Sequence, residues 1–457
     1  MVGIFEAWCA WAKMDIRLDK CSTFGMSMGP SNYQQTQPTI VIAKGIIQAV
    51  PDGGHFTYLG RVFDFDMKDE IPKKVIVDRL DKILNTISVL NIKTQTKLKI
   101  FSRYVPSQIM FDLKIYSFSP TFISNVIDVL CTAHIRRWLE CPASSCITEW
   151  MSSPTKFCGL GIPTFAHRAE RLLLGKRNAL KNSRNTAIRE LWSDTIHAHA
   201  NQNMDNRLIS MDFQSASKQL TEEQSSASLT HFLGLESQGR ASKIIGSVLP
   251  AQNINNWKVT LEKLPTFIFN FVRKAMTNQL PTLRNLQIWG CSPTDACPHC
   301  GRSQTNKHVL SNCSAPEALA RYLERHNKIL RLLVDWLKDK IGGGREWTIY
   351  CDLDVVGTRH VSDLFVGVRP DLAIVNSNKV LICELTVCHE TNLEISRAYK
   401  INKYSNIASA RSSMIKNHVV KVCTMEVTTM GFVALDPIFL KESSLPKLNK
   451  PALENIH

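Results

Sequence analysis

Four side chains able to bind a metal lie close together in the 457-residue sequence: Cys297, Cys300, His308 and Cys313, spaced C-x2-C-x7-H-x4-C. Cysteines two residues apart can aim both thiolates at one ion from a tight turn. His308 and Cys313 can then close a tetrahedron from a short helix that follows. Three thiolates and an imidazole make a soft set, suited to zinc rather than to magnesium or calcium. Cys291 and His299 are neighbours outside this pattern, and His299 lies within the Cys-Cys turn, where reaching the same ion is awkward.

A second group is made of hard ligands. Asp371 opens a short apolar β-type run at 372–375, Glu384 closes another at 380–383, and Asn376-Ser377-Asn378 between them supplies a hairpin turn. Such a hairpin brings both carboxylates to one end of a sheet, where they repel unless a cation sits between them. A divalent ion, magnesium first, is the natural occupant. The helical pattern at 394–416 carries Lys400, Lys403 and Tyr404. Lysines three apart share a helix face, and an ammonium directed back at the carboxylates can orient a water or stabilise charge growing on a phosphorane. Tyr404 reads as a positioning residue.

The elements around these groups follow from periodicity. Ile4, Phe5, Trp8 and Trp11 make an opening helix, and β-type runs at 39–43 and 56–60 with a turn between them make two short strands. This assembly buries little by itself and is expected to pack on further chain. From 70 to 108, Val75, Ile76, Leu80, Ile83, Leu84, Ile87 and Leu90 recur at helical spacing among lysines and arginines. Helical patterns continue to about 180. Residues 182–245, rich in Ser, Asn, Gln and Thr, read as a linker or insertion. Aromatics and bases mix at 267–274 and 280–284, which suits either a buried helix or stacking on nucleic-acid bases. After the cysteine cluster, Ser314 can cap a helix whose stripe of Leu319, Tyr322, Leu323, Ile329, Leu330, Leu333, Trp336 and Leu337 is expected to be core, ended by Gly342-Gly343-Gly344.

Composition narrows the partners. Fifty-five Lys and Arg against 40 Asp and Glu leave a formal charge of +15, which favours a polyanion because each phosphate neutralised releases counterions. Binding should then weaken steeply with salt. The apolar stretch at 39–50 is interrupted by Lys44 and is too short to span a bilayer, so no membrane partner is expected. No secretory signal is visible, and 14 cysteines in so long a chain fit a reduced, intracellular compartment.

Arg369-Pro370-Asp371, Glu384-Leu385-Thr386 and Lys400-x-x-Lys403-Tyr404 together resemble the restriction-like endonuclease of non-LTR retrotransposons, a branch of the PD-(D/E)XK nucleases. By that resemblance Asp371 and Glu384 hold the catalytic magnesium and Lys400 or Lys403 is the catalytic lysine. Thr386 stands where the general motif has lysine, and the branch takes its lysine from the following helix. Arg359-His360 with Asp363 is similar to an Arg-His segment that precedes the motif. The Cys-His knuckle lies just upstream, as in those elements. Trp8-Cys9-x-Trp11, Asp19-Lys20-Cys21 and Tyr58-Leu59-Gly60 are similar to the end of a reverse transcriptase palm, with Lys20 matching a palm lysine. No Tyr/Phe-x-Asp-Asp motif occurs, so templated synthesis is not expected.

The implied fold class is α+β multidomain: a palm remnant at 1–68, a helical thumb-like region at 69–181 and a polar linker or insertion at 182–250. A helical region at 251–345 then holds the structural zinc knuckle at 297–313, an α/β PD-(D/E)XK-like endonuclease spans 346–440, and a tail follows at 441–457. The implied function is metal-dependent nicking of target DNA, in the nucleus, to prime reverse transcription, with DNA and retroelement RNA as partners. The alternative is a retroelement remnant that binds nucleic acid without catalysis.

Overall fold

The computed structural model describes residues 2–30, 32–66, 68–116, 118–191, 208, 211–341, 347–404 and 406–444. The glycine run at 342–344, residues 192–207 of the polar stretch and most of the tail lie outside the described residues. The chain is mixed α and β and divides into two compact units. One comprises Met1–Leu90, Ile100–Cys131 and Phe165–Phe213, and the other Asn91–Lys99, Thr132–Thr164 and Gln214–His457. The 69–181 region thus contributes to both units. Among the described residues no helix is long and apolar enough to cross a membrane.

The first unit opens with helix Val2–Trp11 and then six short strands: β1 (Gly25–Met28), β2 (Tyr33–Thr36), β3 (Ile40–Ile42), β4 (Gly45–Ile47), β5 (His55–Tyr58) and β6 (Arg61–Asp64). They pair as three separate antiparallel hairpins. The two expected strands, now β3 and β5, therefore do not pair with each other; each has its own partner. The local chemistry explains this at Leu59-Gly60, where both residues have positive φ (48° and 79°), the geometry of a two-residue turn whose twist matches a hairpin. Helix Glu70–Val89 buries Ile76, Leu80, Leu84 and Ile87 but leaves Val75 exposed, and Leu90, just past its end, is exposed too, so the apolar face is narrower than its pattern. Asp128 caps helix Phe165–Lys181 from outside it. Its carboxylate accepts the Phe165 and Ala166 N–H groups at 2.7 and 3.0 Å, while burial pushes its pKa up to about 6.

In the second unit the polar stretch is helical at Phe213–Gly234, where Ala216, Leu220, Gln224 and Phe232 are buried. Helix Ala251–Leu261 docks on the sheet described next: Trp257 donates to the Met430 carbonyl at 2.7 Å and stacks on Phe432. That sheet has six strands: β7 (Thr348–Cys351), β8 (Arg359–His360), β9 (Leu372–Val375), β10 (Lys379–Cys388), β11 (Val419–Thr428) and β12 (Val433–Leu435). Their spatial order is β12-β11-β10-β9-β7-β8. β9 and β10 form the expected antiparallel hairpin, with Asn376 closing its turn by accepting the Lys379 N–H. β10 and β11 are parallel, linked by helix Leu393–Lys403.

Strand alternation divides the core into two layers. Leu381, Cys383 and Leu385 of β10 meet Ile329, Leu330, Leu333, Trp336 and Leu337 of helix Pro316–Ile341. Val380 and Ile382 face the other way, toward Tyr404, Ile407 and Ile415. Two expectations are corrected. Leu319 and Leu323, assigned to the core stripe, are 53% and 60% exposed, and the helix buries its apolar side chains only from Ile329 onward. The helix expected over 394–416 ends at Lys403, after which short turns carry Ile407 and Ile415 back into the core.

Candidate functional site

The cysteine-histidine cluster assembles as its spacing requires. Gly301, at φ 73°, lets the chain turn tightly enough for its N–H to reach the Cys297 carbonyl at 2.8 Å, and Ala296 bridges to Ser303 across the knuckle. Thr305 Oγ1 accepts the His308 N–H, starting the wide helical turn His308–Asn312 that delivers the histidine. The ligand atoms of Cys297, Cys300, His308 and Cys313 all lie within 4.8 Å of one another. Cys300 Sγ is 3.8 Å from Cys313 Sγ and 3.4 Å from His308 Nε2. Tetrahedral zinc with bonds of about 2.3 Å to sulfur and about 2.0 Å to nitrogen requires edges of about 3.5–3.8 Å, so this set can bind a metal such as zinc. The Arg302 backbone N–H beside Cys300 lowers that thiol to about 7, toward the thiolate a metal needs. His299 and Cys291 are exposed and outside the cluster.

The second centre is built on the β9–β10 register. Leu372 pairs with Cys383, the last pair of the ladder, and continuing that register by one residue sets Asp371 opposite Glu384. Glu384 is inside a ten-residue strand rather than at its end, since β10 continues to Cys388. Each carboxylate is pinned by the other strand's backbone: Asp371 N–H donates to Glu384 Oε1 at 3.0 Å, and Leu385 N–H to Asp371 Oδ2 at 2.9 Å. Lys400 bridges the pair, its Nζ 2.6 Å from Glu384 Oε2 and 3.3 Å from Asp371 Oδ2. Burial would raise the Asp371 carboxyl, but His326 and Lys400 outweigh it and hold its pKa below the usual value. Burial and the Asp371 charge raise that of fully buried Glu384. The two carboxylates keep Lys400 protonated against burial.

Lys403 is not part of this contact: it is exposed and its ammonium lies 4.8 Å from the Tyr404 ring centre. Tyr404 is buried and donates to the Arg369 carbonyl at 3.1 Å, tethering the residue two before Asp371. Asp363 is exposed, whereas His360 lies 3.6 Å from Asp352. Thr386, where the general motif has lysine, has a buried hydroxyl without a hydrogen-bond partner.

Three contributors escape sequence reading. Asp352, just past β7, donates its N–H to the Asp371 carbonyl and holds Arg369 Nε at 2.9 Å, which lines up Asp352, Asp371 and Glu384 across three neighbouring strands. His326, from helix Pro316–Ile341, places Nε2 3.6 Å from Asp371 Oδ1. Arg397 binds Glu426 of β11 through both carboxylate oxygens, at 3.1 and 2.7 Å, and so sets the rotation of the helix that carries Lys400. Glu426 is 1% exposed. Arg397→Leu, which leaves that carboxylate unpaired, is therefore expected to cost about 3–5 kcal/mol in urea unfolding, with recovery in the Arg397→Leu, Glu426→Leu pair.

No family model matches the chain. It is 19% identical over 450 residues to a retrovirus-related Pol polyprotein from type-1 retrotransposable element R2 of Bradysia coprophila, an alignment that takes in 97% of this chain and 48% of that protein. The chain thus spans about half the length of that relative. The likeness supports a retrotransposon origin.

Proposed function

We propose that this chain is the C-terminal part of a non-LTR retrotransposon protein and that its 346–440 region is a metal-dependent endonuclease, nicking target DNA to supply the 3′ hydroxyl that primes reverse transcription. The observation that carries this reading is the Asp371–Glu384 pair joined by Lys400. Its hard, pinned carboxylate oxygens suit magnesium, and Asp371 and Glu384 would hold the ion. When bound, magnesium supplies Lewis-acid stabilisation of the scissile phosphate's charge. Lys400 presents an ammonium to the same place, where it can orient a water or offset developing charge. Tyr404 and Arg397 hold the surrounding backbone and helix.

In the same reading the knuckle at 297–313 is a structural zinc site, and 1–68 and 69–181 are the end of a palm and a thumb. DNA and retroelement RNA are the partners, and the nucleus is where the protein acts. The retrotransposon relative supports this arrangement, as does the +15 charge. The test is incubation of the full chain with supercoiled plasmid. Nicked circles are expected in magnesium and not in calcium, with affinity in calcium falling steeply as salt rises. Tight binding without nicking in magnesium would favour the non-catalytic alternative.

A further inference from the structure

Within little more than one turn of helix Pro316–Ile341, three side chains grip groups outside it. The Tyr322 hydroxyl lies 3.1 and 2.9 Å from the carbonyls of His308 and Val309 and accepts the Cys313 N–H at 3.3 Å. Arg325 donates to the Leu310 carbonyl at 3.0 Å. These are three successive carbonyls of the wide turn that carries His308, a turn whose irregular ladder leaves them in need of donors. The next residue, His326, faces the other centre: Nε2 is 3.6 Å from Asp371 Oδ1, and Nδ1 is 3.3 Å from Asn327 Oδ1. Asp371 Oδ2 is already engaged by Leu385 N–H and Lys400, so His326 is the side chain that addresses the remaining oxygen.

A single helical turn is stiff, so the cysteine-histidine cluster and Asp371 are held to one short strut. We propose that His326 is a positioning residue for Asp371, and that the metal-binding turn sets the place of His326 through Tyr322 and Arg325. This rests on the nuclease reading above. Outer partners of a ligating carboxylate fix its orientation, and their loss typically costs ten- to a hundredfold in metal affinity. The zinc cluster would then tune how well the carboxylates take a divalent ion, without touching that ion.

The test uses the full zinc-loaded chain, with two readouts: calcium binding by calorimetry and the magnesium dependence of plasmid nicking. His326→Ala is expected to weaken calcium binding and raise the half-saturating magnesium by about tenfold or more, with a smaller change in rate at saturating magnesium. His326→Gln, whose amide N–H can reach toward Asp371, is expected to recover most of the loss. Tyr322→Phe, which removes one oxygen from the strut, should shift both readouts in the same direction by a smaller factor at unchanged zinc content. The proposal is overturned if His326→Ala titrates as wild type, if Gln is no better than Ala, or if Tyr322→Phe leaves both titrations unmoved. Wild-type nicking by Asp371→Ala would instead overturn the nuclease reading itself.

Discussion

Asp371→Ala and Glu384→Ala are each expected to bind DNA nearly as wild type does and to leave supercoiled plasmid uncut. In the nuclease reading, bulk affinity would come from many dispersed basic residues, whereas the two carboxylates would act at one phosphate. Removing either also leaves Lys400 with a single partner, so the centre loses its ligand and the orientation of its ammonium together. Lys400→Ala should reduce nicking by about a hundredfold or more, the usual cost of an electrostatic donor at a reacting centre. Lys403→Ala should remain within a few fold, since Lys403 is exposed and its ammonium lies over the Tyr404 ring. Binding is measured in calcium and cutting in magnesium; unchanged cutting by Asp371→Ala would sink the assignment.

The second large effect is at the cysteine cluster. Reduced protein is expected to carry one zinc per chain, and Cys300→Ser to lose it and melt the 297–313 segment, because ligation supplies on the order of ten kcal/mol to the folding of such modules. Around this site few apolar side chains are buried: Cys297, Leu310, Cys313 and Ala315 are the buried ones from 297 to 315, too few to hold a fold unaided. Metal analysis together with amide exchange across the segment checks this, and protection that survives the substitution would show that the segment folds without the ion.

How much of this was legible depended on whether a residue's partner lay close by in the chain. The knuckle was readable because its ligands and turns are local. So was the β9–β10 hairpin, where turn-forming asparagines sit between two apolar runs, and pairing across it sets Asp371 opposite Glu384. The choice between Lys400 and Lys403 was not readable, because spacing places both on one helix face and the rotation of that face is set by Arg397 meeting Glu426 on a distant strand. His326 was hidden inside a strong apolar stripe, and Asp352 beyond a short strand; neither has a local signature. The partners of the runs at 39–43 and 56–60 are not legible in their apolar content, because each run turns back on its immediate neighbour, a choice made by turn geometry.

The bridging position of Lys400 bears on the order in which this protein can be made. Two acids brought together during folding repel unless one is protonated or a cation lies between them. Here the counter-charge is covalently attached and arrives with helix Leu393–Lys403, on the crossover between the two parallel strands. The sheet can therefore close without a divalent ion between the two acids. In the proposed reading the knuckle differs: its thiols and imidazole would be drawn together by zinc itself, so zinc supply would govern whether the molecule matures and magnesium only whether it works.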